Sequence, residues 1–328
     1  TTTPIAYTFN GTWSPSDPTG NSTTNDDIVI SNGDAIISSN TTINGVTVNA
    51  GASLTVNTAI ELTTNFIDLE STSTSYSSLI NNGTVTGTLT YNRYVSQVAP
   101  TGTNDLITSP FGGQTFGAFA TANDGVLSAS GTLRAFASFN NNSNAYDNYD
   151  TSSNNETVIA SGQGYRAGTI NGETLAFEGT LNNSDLSVPL SVGSSSFWNL
   201  IGNPYSSYID AEAFLTANSS SLRPTYVAIY GYNADNSNGQ NSRWTILDSN
   251  SKPNTLTAPG QGFFVAAPDG GGTSANFTLA MRTTGIDDDF IAGRNTTSDA
   301  NFAHAILNLE TASTSYLTNF YFRDINTL

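Results

Sequence analysis

"WNLIGNPYSSYIDAEAF", residues Trp198 to Phe214, decides the fold, because the chain carries an earlier version of it in "DLITSPFGGQTFGAF", Asp105 to Phe119. Leu106, Ile107, Pro110 and Phe111 correspond to Leu200, Ile201, Pro204 and Tyr205 at an offset of 94. Farther on, "GQGY" at Gly162 is matched by "GQGF" at Gly260 at an offset of 98, and "TLAF" at Thr174 by "TLAM" at Thr278 at 104. The offset grows only between motifs. That pattern marks a shared framework with lengthened surface loops, since loop length costs little free energy. Residues 105–196 and 197–283 therefore read as two β units of one design. In each, a Pro after a small polar residue (Ser109-Pro110, Asn203-Pro204) ends ladder pairing, because Pro fixes φ and lacks a donor. In "PGQGFFV", Pro259 to Val265, the glycines supply positive φ for a turn or bulge, and a buried strand begins at Phe263. The expected packing is sheet on sheet, as in a sandwich or jelly roll, with two separate small sandwiches as the alternative.

Upstream the texture differs. Residues 25–95 carry short apolar pairs, Ile28 with Ile30, Val46 with Val48, Leu54 with Val56 and Leu79 with Ile80, punctuated by Asn-Gly and Gly-Ala. Such pairs suit short strands joined by tight turns, and their period is too short for sandwich strands. A β-solenoid over residues 1–96 buries each small apolar rung only by stacking it on the next; a meandering sheet is the competing reading. Residues 97–104 read as a linker, 284–300 as an acidic linker, and 301–328 as the first strands of a further, truncated β domain. The fold class expected for the whole chain is all-β.

Composition narrows the function. Charged residues make up 11% of 328, and the net charge of −17 repels phosphate backbones and anionic headgroups, which argues against nucleic acid as a partner. The absence of cysteine excludes disulfides and thiolate metal sites, and no apolar run is long enough for a membrane-spanning helix, so no membrane insertion is expected. A hydrolytic triad would have His304 as its one histidine, with no nucleophile motif for context, so no catalytic residue is assigned. A lyase groove on the solenoid would need a base, and Arg93 is the sole Lys or Arg in residues 1–95.

The two units differ most in "NNNSNAYDNYDTSSNN" (140–155) and "NADNSNGQNSRW" (233–244), polar segments with aromatic residues ahead of each GQG motif. Read as loops, they offer Tyr146, Tyr149, Tyr232 and Trp244 for stacking on sugar rings, each with an apolar face beside a polar handle. The competing reading puts Trp244 in the core and the tyrosines at hairpin ends. Asp147, Asp150, Asn233 and Asp235 are candidate ligands for Ca²⁺, as are Asp287, Asp288 and Asp289 in "GIDDDF". No cofactor is required by any of these readings, and solvated acidic loops are the alternative for the aspartates.

"WNLIGNPYSSYIDAEAF", "VAIYGYN", "APGQGFFVAA" and "LAMR", preceded by "INGVTVNAGASLTV" and "GTVTGTLTYNRYV", together resemble the β-solenoid and repeated β-sandwich region of secreted cell-surface proteins of Bacteroidota exported by the type IX secretion system. The resemblance covers most of the chain. It implies an extracellular address, the secretion machinery as a partner during export, and a role in adhesion, matrix structure or glycan binding, with polysaccharide or matrix components as partners. An accessory region of a secreted polysaccharide-degrading enzyme is the alternative it leaves open.

Overall fold

The computed structural model describes residues 3–98, 104–232, 244–248 and 255–289, with the backbone of two further strands, Phe302–Glu310 and Ser315–Arg323. The chain is all-β and begins with a solenoid of about 4 turns. Residues 1–292 form one compact unit and 293–328 a second; in the latter the two strands pair as an antiparallel hairpin from Phe302 opposite Arg323 to Glu310 opposite Ser315.

Stacked side chains explain the solenoid. Ala6–Asn10, Asp27–Ile37, Gly45–Val48, Glu61–Leu69 and Thr84–Val95 pair in parallel, so that Ile28, Val46, Ile67 and Leu89 form one inward column and Ile30, Val48, Leu69 and Tyr91 the next. A second face stacks Ala35, Leu54 and Leu79 through the parallel strands Asp27–Ile37, Ala52–Val56 and Ser78–Asn81. Each short apolar pair noted in the sequence supplies a rung, except that Ile80 is half-buried beside Thr55 rather than inside. Period-two alternation places one residue of every two in the column. At a corner, Asn44 donates to Asp27 and Asn65 donates to Asn44, at 2.8 and 2.9 Å, so the turn amides also stack. The coil ends where Glu173–Glu178 runs antiparallel to the last strand, from Thr90 opposite Glu178 to Val95 opposite Glu173.

The two later units each build a sheet against a short helix. Unit one pairs Asp105–Ile107, Tyr165–Ala167 and Leu133–Asn140, which also carries Ala145–Asp150; unit two pairs Trp198–Gly202, Gly262–Ala266, Ile229–Tyr232 and Trp244–Leu247. The helices α1 (Phe116–Ala122) and α2 (Ala211–Asn218) follow the Pro turns, and the all-strand expectation missed both. Their N-caps are Thr115 and Asp210, whose side chains accept from the first-turn amides. An Asn ends each helix motif. Asn123 donates to the Ala176 carbonyl and accepts from the Ala176 amide; Asn218 does the same with Asn276. This clamp corrects the third sequence match, because the partner of "TLAF" is the strand Thr273–Phe277, whereas "TLAM" lies in the turn Thr278 to Met281. Phe177 and Phe277, both fully buried, are the true equivalents.

The repeated motifs meet one another across a pseudo-twofold axis. Ile107 bridges Gln261 and Gln163 bridges Ile201, so each unit's apolar pair lies against the other unit's GQG. The Thr108 amide donates to the Gly260 carbonyl and the Gly202 amide to the Gly162 carbonyl, both at 2.9 Å. The first glycine of each motif has positive φ, +81° at Gly162 and +64° at Gly260. The second serves close approach instead of a turn, since a Cβ on Gly262 would lie 2.6 Å from the Ile107 nitrogen and one on Gly164 2.6 Å from Leu200 Cγ.

A buried ionic cluster lies beside this crossing. Arg93, fully buried, pairs with Asp289 at 2.7 Å and stacks 4.1 Å above the Tyr76 ring, while the Tyr208 hydroxyl donates to the Asp287 carbonyl at 2.6 Å. Residues 284–289, expected as part of a linker, are thus fastened to the main body. Asp105 accepts from the Ser96 amide at 2.5 Å, and burial together with the Asp289 charge pushes its carboxyl up to about 7. The folded state therefore holds this proton between the ordinary aspartate value of 3.8 and about 7, where the unfolded chain has released it. Stability from this group is present below 3.8 and lost as the pH rises through about 7. We expect Asp105→Asn, which keeps an acceptor for Ser96, to raise the urea midpoint at pH 8 and flatten its decline between pH 4 and 8. An unchanged pH slope would refute the assignment.

Candidate functional site

Strand alternation makes an aromatic surface from the side of the sheets that faces away from the helices. In unit two Ile201, Phe263, Val265, Ile229 and Leu247 turn inward against Phe214 and Leu215 of α2. Their strand neighbours Leu200, Phe264, Trp198, Tyr230 and Tyr232 must then point the other way, where they cluster with Leu106, Phe139 and Tyr146 of unit one. Trp198 meets Tyr230 at 4.6 Å, and a separate run of five rings crosses between the units, Tyr232 to Trp244 at 5.1 Å, Trp244 to Phe264 at 5.8 Å, Phe264 to Phe139 at 4.9 Å and Phe139 to Tyr146 at 5.5 Å. The edge of this surface is open to solvent, with Trp244 46% and Ile246 51% exposed. Arg166 caps the other end, 4.2 Å from the Tyr146 ring centre, a cation–π contact. Burial pushes the Tyr146 phenol up to about 12 against the pull of Arg166, so it is a neutral hydroxyl at any physiological pH.

Beside the aromatic surface a groove of about 600 Å³ opens between the units, a size usual for ligand sites. Phe139 and Trp198 belong to both features. Strand Leu133–Asn140 brings Ser138 to one wall, the GQG turn brings Gln163, and strand Leu186–Leu190 supplies Leu186, Val188 and Pro189. The connection after Leu190 is tied across the groove, where Asn141 donates to the Ser191 carbonyl and hydroxyl at 3.0 and 2.9 Å and Asn199 donates to the same carbonyl at 2.9 Å. Among the described residues Asp147 is the one ionisable side chain in the lining, and one of its oxygens accepts from Asn140 at 2.9 Å.

The stretch 140–155, expected as a loop, contains a strand, Ala145–Asp150, and this sorts the predicted residues. Tyr149 is a core residue, packed on Phe116, Phe136 and Tyr165, and cannot stack on a ligand. Tyr146 faces the aromatic surface, and Tyr232 and Trp244 meet there as a pair. Among the aspartates, Asp150 is consumed by its own turn, accepting from the Ser152 amide and hydroxyl and from Thr132. Asp289 holds the Arg93 guanidinium, Asp288 accepts from the Asp289 amide, and the Asp287 carbonyl takes the Tyr208 hydroxyl. Asn233 and Asp235 lie outside the described residues. Among the described residues no group of three or more His, Cys, Asp or Glu is placed to hold a metal ion. Arg93 lies under Tyr76 and Asp289 and lines no open groove. Trp198, Phe139, Gln163 and Ser138 were not read from the sequence as site residues. The "W-x-L" spacing of Trp198 and Leu200 was the available signal for an outward ring, whereas the groove needs the pairing of the two units.

A protein-family model described as Domain of unknown function (DUF8693) matches residues 6–319. No curated protein and no solved structure matches the chain.

Proposed function

Because the chain belongs to that family of domains of unknown function, we read its role from its own surface, and we propose that it is a non-catalytic, extracellular surface protein that binds glycans in adhesion or matrix structure. The observation that carries the reading is the run of aromatic rings from Tyr146 to Tyr232 that includes the exposed Trp244, with the polar groove alongside. Aromatic faces remove apolar area from water against the C–H faces of sugars and still leave the sugar hydroxyls to hydrogen bond. The solenoid acts as a spacer for this surface. Export through the type IX secretion system belongs to the same proposal and is supported by the sequence resemblance alone.

Insoluble polysaccharide pull-down of residues 1–328 tests it. We expect retention on at least one polysaccharide and a fall of about tenfold with Trp244→Ala, near 1.4 kcal/mol of lost ring contact. Thermal unfolding of the variant should stay cooperative with only a small drop in midpoint, since Trp244 is 46% exposed on an edge strand and loses ring contacts with Tyr232 and Phe264. No retention on any polysaccharide would overturn the glycan-binding reading.

A further inference from the structure

We infer that the groove between the two repeats takes a neutral polysaccharide chain, with Gln163 and Ser138 as its hydrogen-bonding contacts and Asp147 as the group that turns acidic sugars away. This inference rests on the glycan-binding reading and names the class of glycan.

The lining alternates apolar and polar groups in the way a sugar presents them. Trp198 and Phe139 border the groove with rings, and Gln163 and Ser138 line it. Both polar side chains are half-buried and make no hydrogen bond to another described residue. A carboxamide offers two donors and two acceptor sites and a hydroxyl offers one donor and two, so both complement a ligand whose every hydroxyl donates and accepts. The surrounding amides behave differently, because Asn141 and Asn199 are already spent on the Ser191 carbonyl and hold the far wall in place. The frame is therefore fixed while two polar groups stay open, an arrangement that lowers the ordering cost of binding.

Charge selects the ligand class. Among the described residues no Lys or Arg lines the groove, and Asp147 does. A uronic acid or sulfated sugar would bring a second anion beside this carboxylate with no cation to meet it, on a chain whose net charge is −17. Recognition of carboxylate or sulfate groups ordinarily draws on Arg forks or Lys ammonium groups. Arg166, the cation that the described residues place on the aromatic surface, is occupied by the Tyr146 ring and by Asn148 at 3.2 Å. A neutral sugar meets no such penalty, and the open oxygen of Asp147 can accept one of its hydroxyls.

Isothermal titration of the full chain with cellohexaose, laminarihexaose and mannohexaose, against hexagalacturonate, tests the inference. We expect at least one neutral hexamer to bind, hexagalacturonate to bind at least about tenfold more weakly, and Gln163→Ala or Ser138→Ala to weaken the neutral hexamer about fivefold to tenfold. Neither side chain supports the fold through a hydrogen bond, so unchanged thermal unfolding should accompany the loss. Equal or tighter binding of hexagalacturonate would overturn the assignment to neutral glycans while leaving glycan binding intact. Neutral binding unaffected by both substitutions would remove the groove as the site. Binding of no oligosaccharide, joined with no retention on any polysaccharide in the pull-down, would overturn the inference and the underlying reading together.

Discussion

Arg93→Ala is expected to destabilise the main body by about 3–5 kcal/mol, the usual cost of leaving a buried charge partner alone. The guanidinium has no exposed surface, pairs with Asp289 and donates to the Tyr94 carbonyl at 3.0 Å. Its removal leaves a cavity over Tyr76 and leaves Asp289 and Asp105 to repel each other across it. Burial of the cation is costly in itself, so Arg93→Met, which fills the volume without the charge, should recover part of the loss when combined with Asp289→Asn. Urea unfolding of the parent, Arg93→Ala and the double variant reads the result. If Arg93→Ala and the parent unfold at the same urea concentration, the ionic cluster contributes nothing to stability and residues 284–289 are held by Tyr208 alone.

Gly262→Ala should cost about 3 kcal/mol, the upper end of the ordinary range for overpacking, because the nearest atoms the added methyl meets all belong to the Leu106–Ile107 backbone. It would lie 2.6 Å from the Ile107 nitrogen and 2.7 Å from the Leu106 carbonyl carbon, neither of which can rotate away. The reciprocal change Gly164→Ala meets Leu200 Cγ at 2.6 Å and the Ile201 oxygen at 2.8 Å, so part of its clash falls on a side chain that can shift. We therefore expect the order Gly262→Ala worse than Gly164→Ala, and thermal unfolding of the two variants decides it. Equal melting temperatures for both variants and the parent would mean that the units can separate at the crossing without loss.

The repeat was legible because Gly and Pro constrain backbone strongly enough to stand out in any sequence, and GNP and GQG fall where the chain must turn or pass close to another strand. The solenoid was legible through its apolar pairs, since a rung two residues wide can bury itself only by stacking. The helices were not, because "FGAFATA" and "AEAFLTAN" are seven and eight residues long, too short to show a helical period. A better clue was present in the recurring "TAN" at Thr121 and Thr216, whose Asn residues clamp the last strand of each unit. The candidate site was only partly legible. Trp244, Tyr232 and Tyr146, offered by the sequence as aromatics near loops, lie together on the aromatic surface, whereas the burial of Tyr149 depends on Ala145–Asp150 being a strand with its own alternation. Gln163 becomes a groove residue only through its bridge to Ile201 of the other unit, a pairing between residues far apart along the chain.

The antiparallel strand Glu173–Glu178 at the end of the coil has a consequence for how copies of the protein meet. A parallel coil of stacked rungs is an open-ended template, and a bare terminal rung can recruit the first rung of another molecule and polymerise. Here the stretch of the last rung from Thr90 to Val95 is already taken by a strand running the opposite way, whose Leu175 and Phe177 are sunk in the core of the first repeat. Concatenation of one molecule onto the next through that part of the rung would require tearing the repeat open. The same strand fastens the first repeat to the coil through the hydrogen bonds of one shared sheet, so a load on that repeat reaches the coil through a ladder instead of through a single covalent hinge.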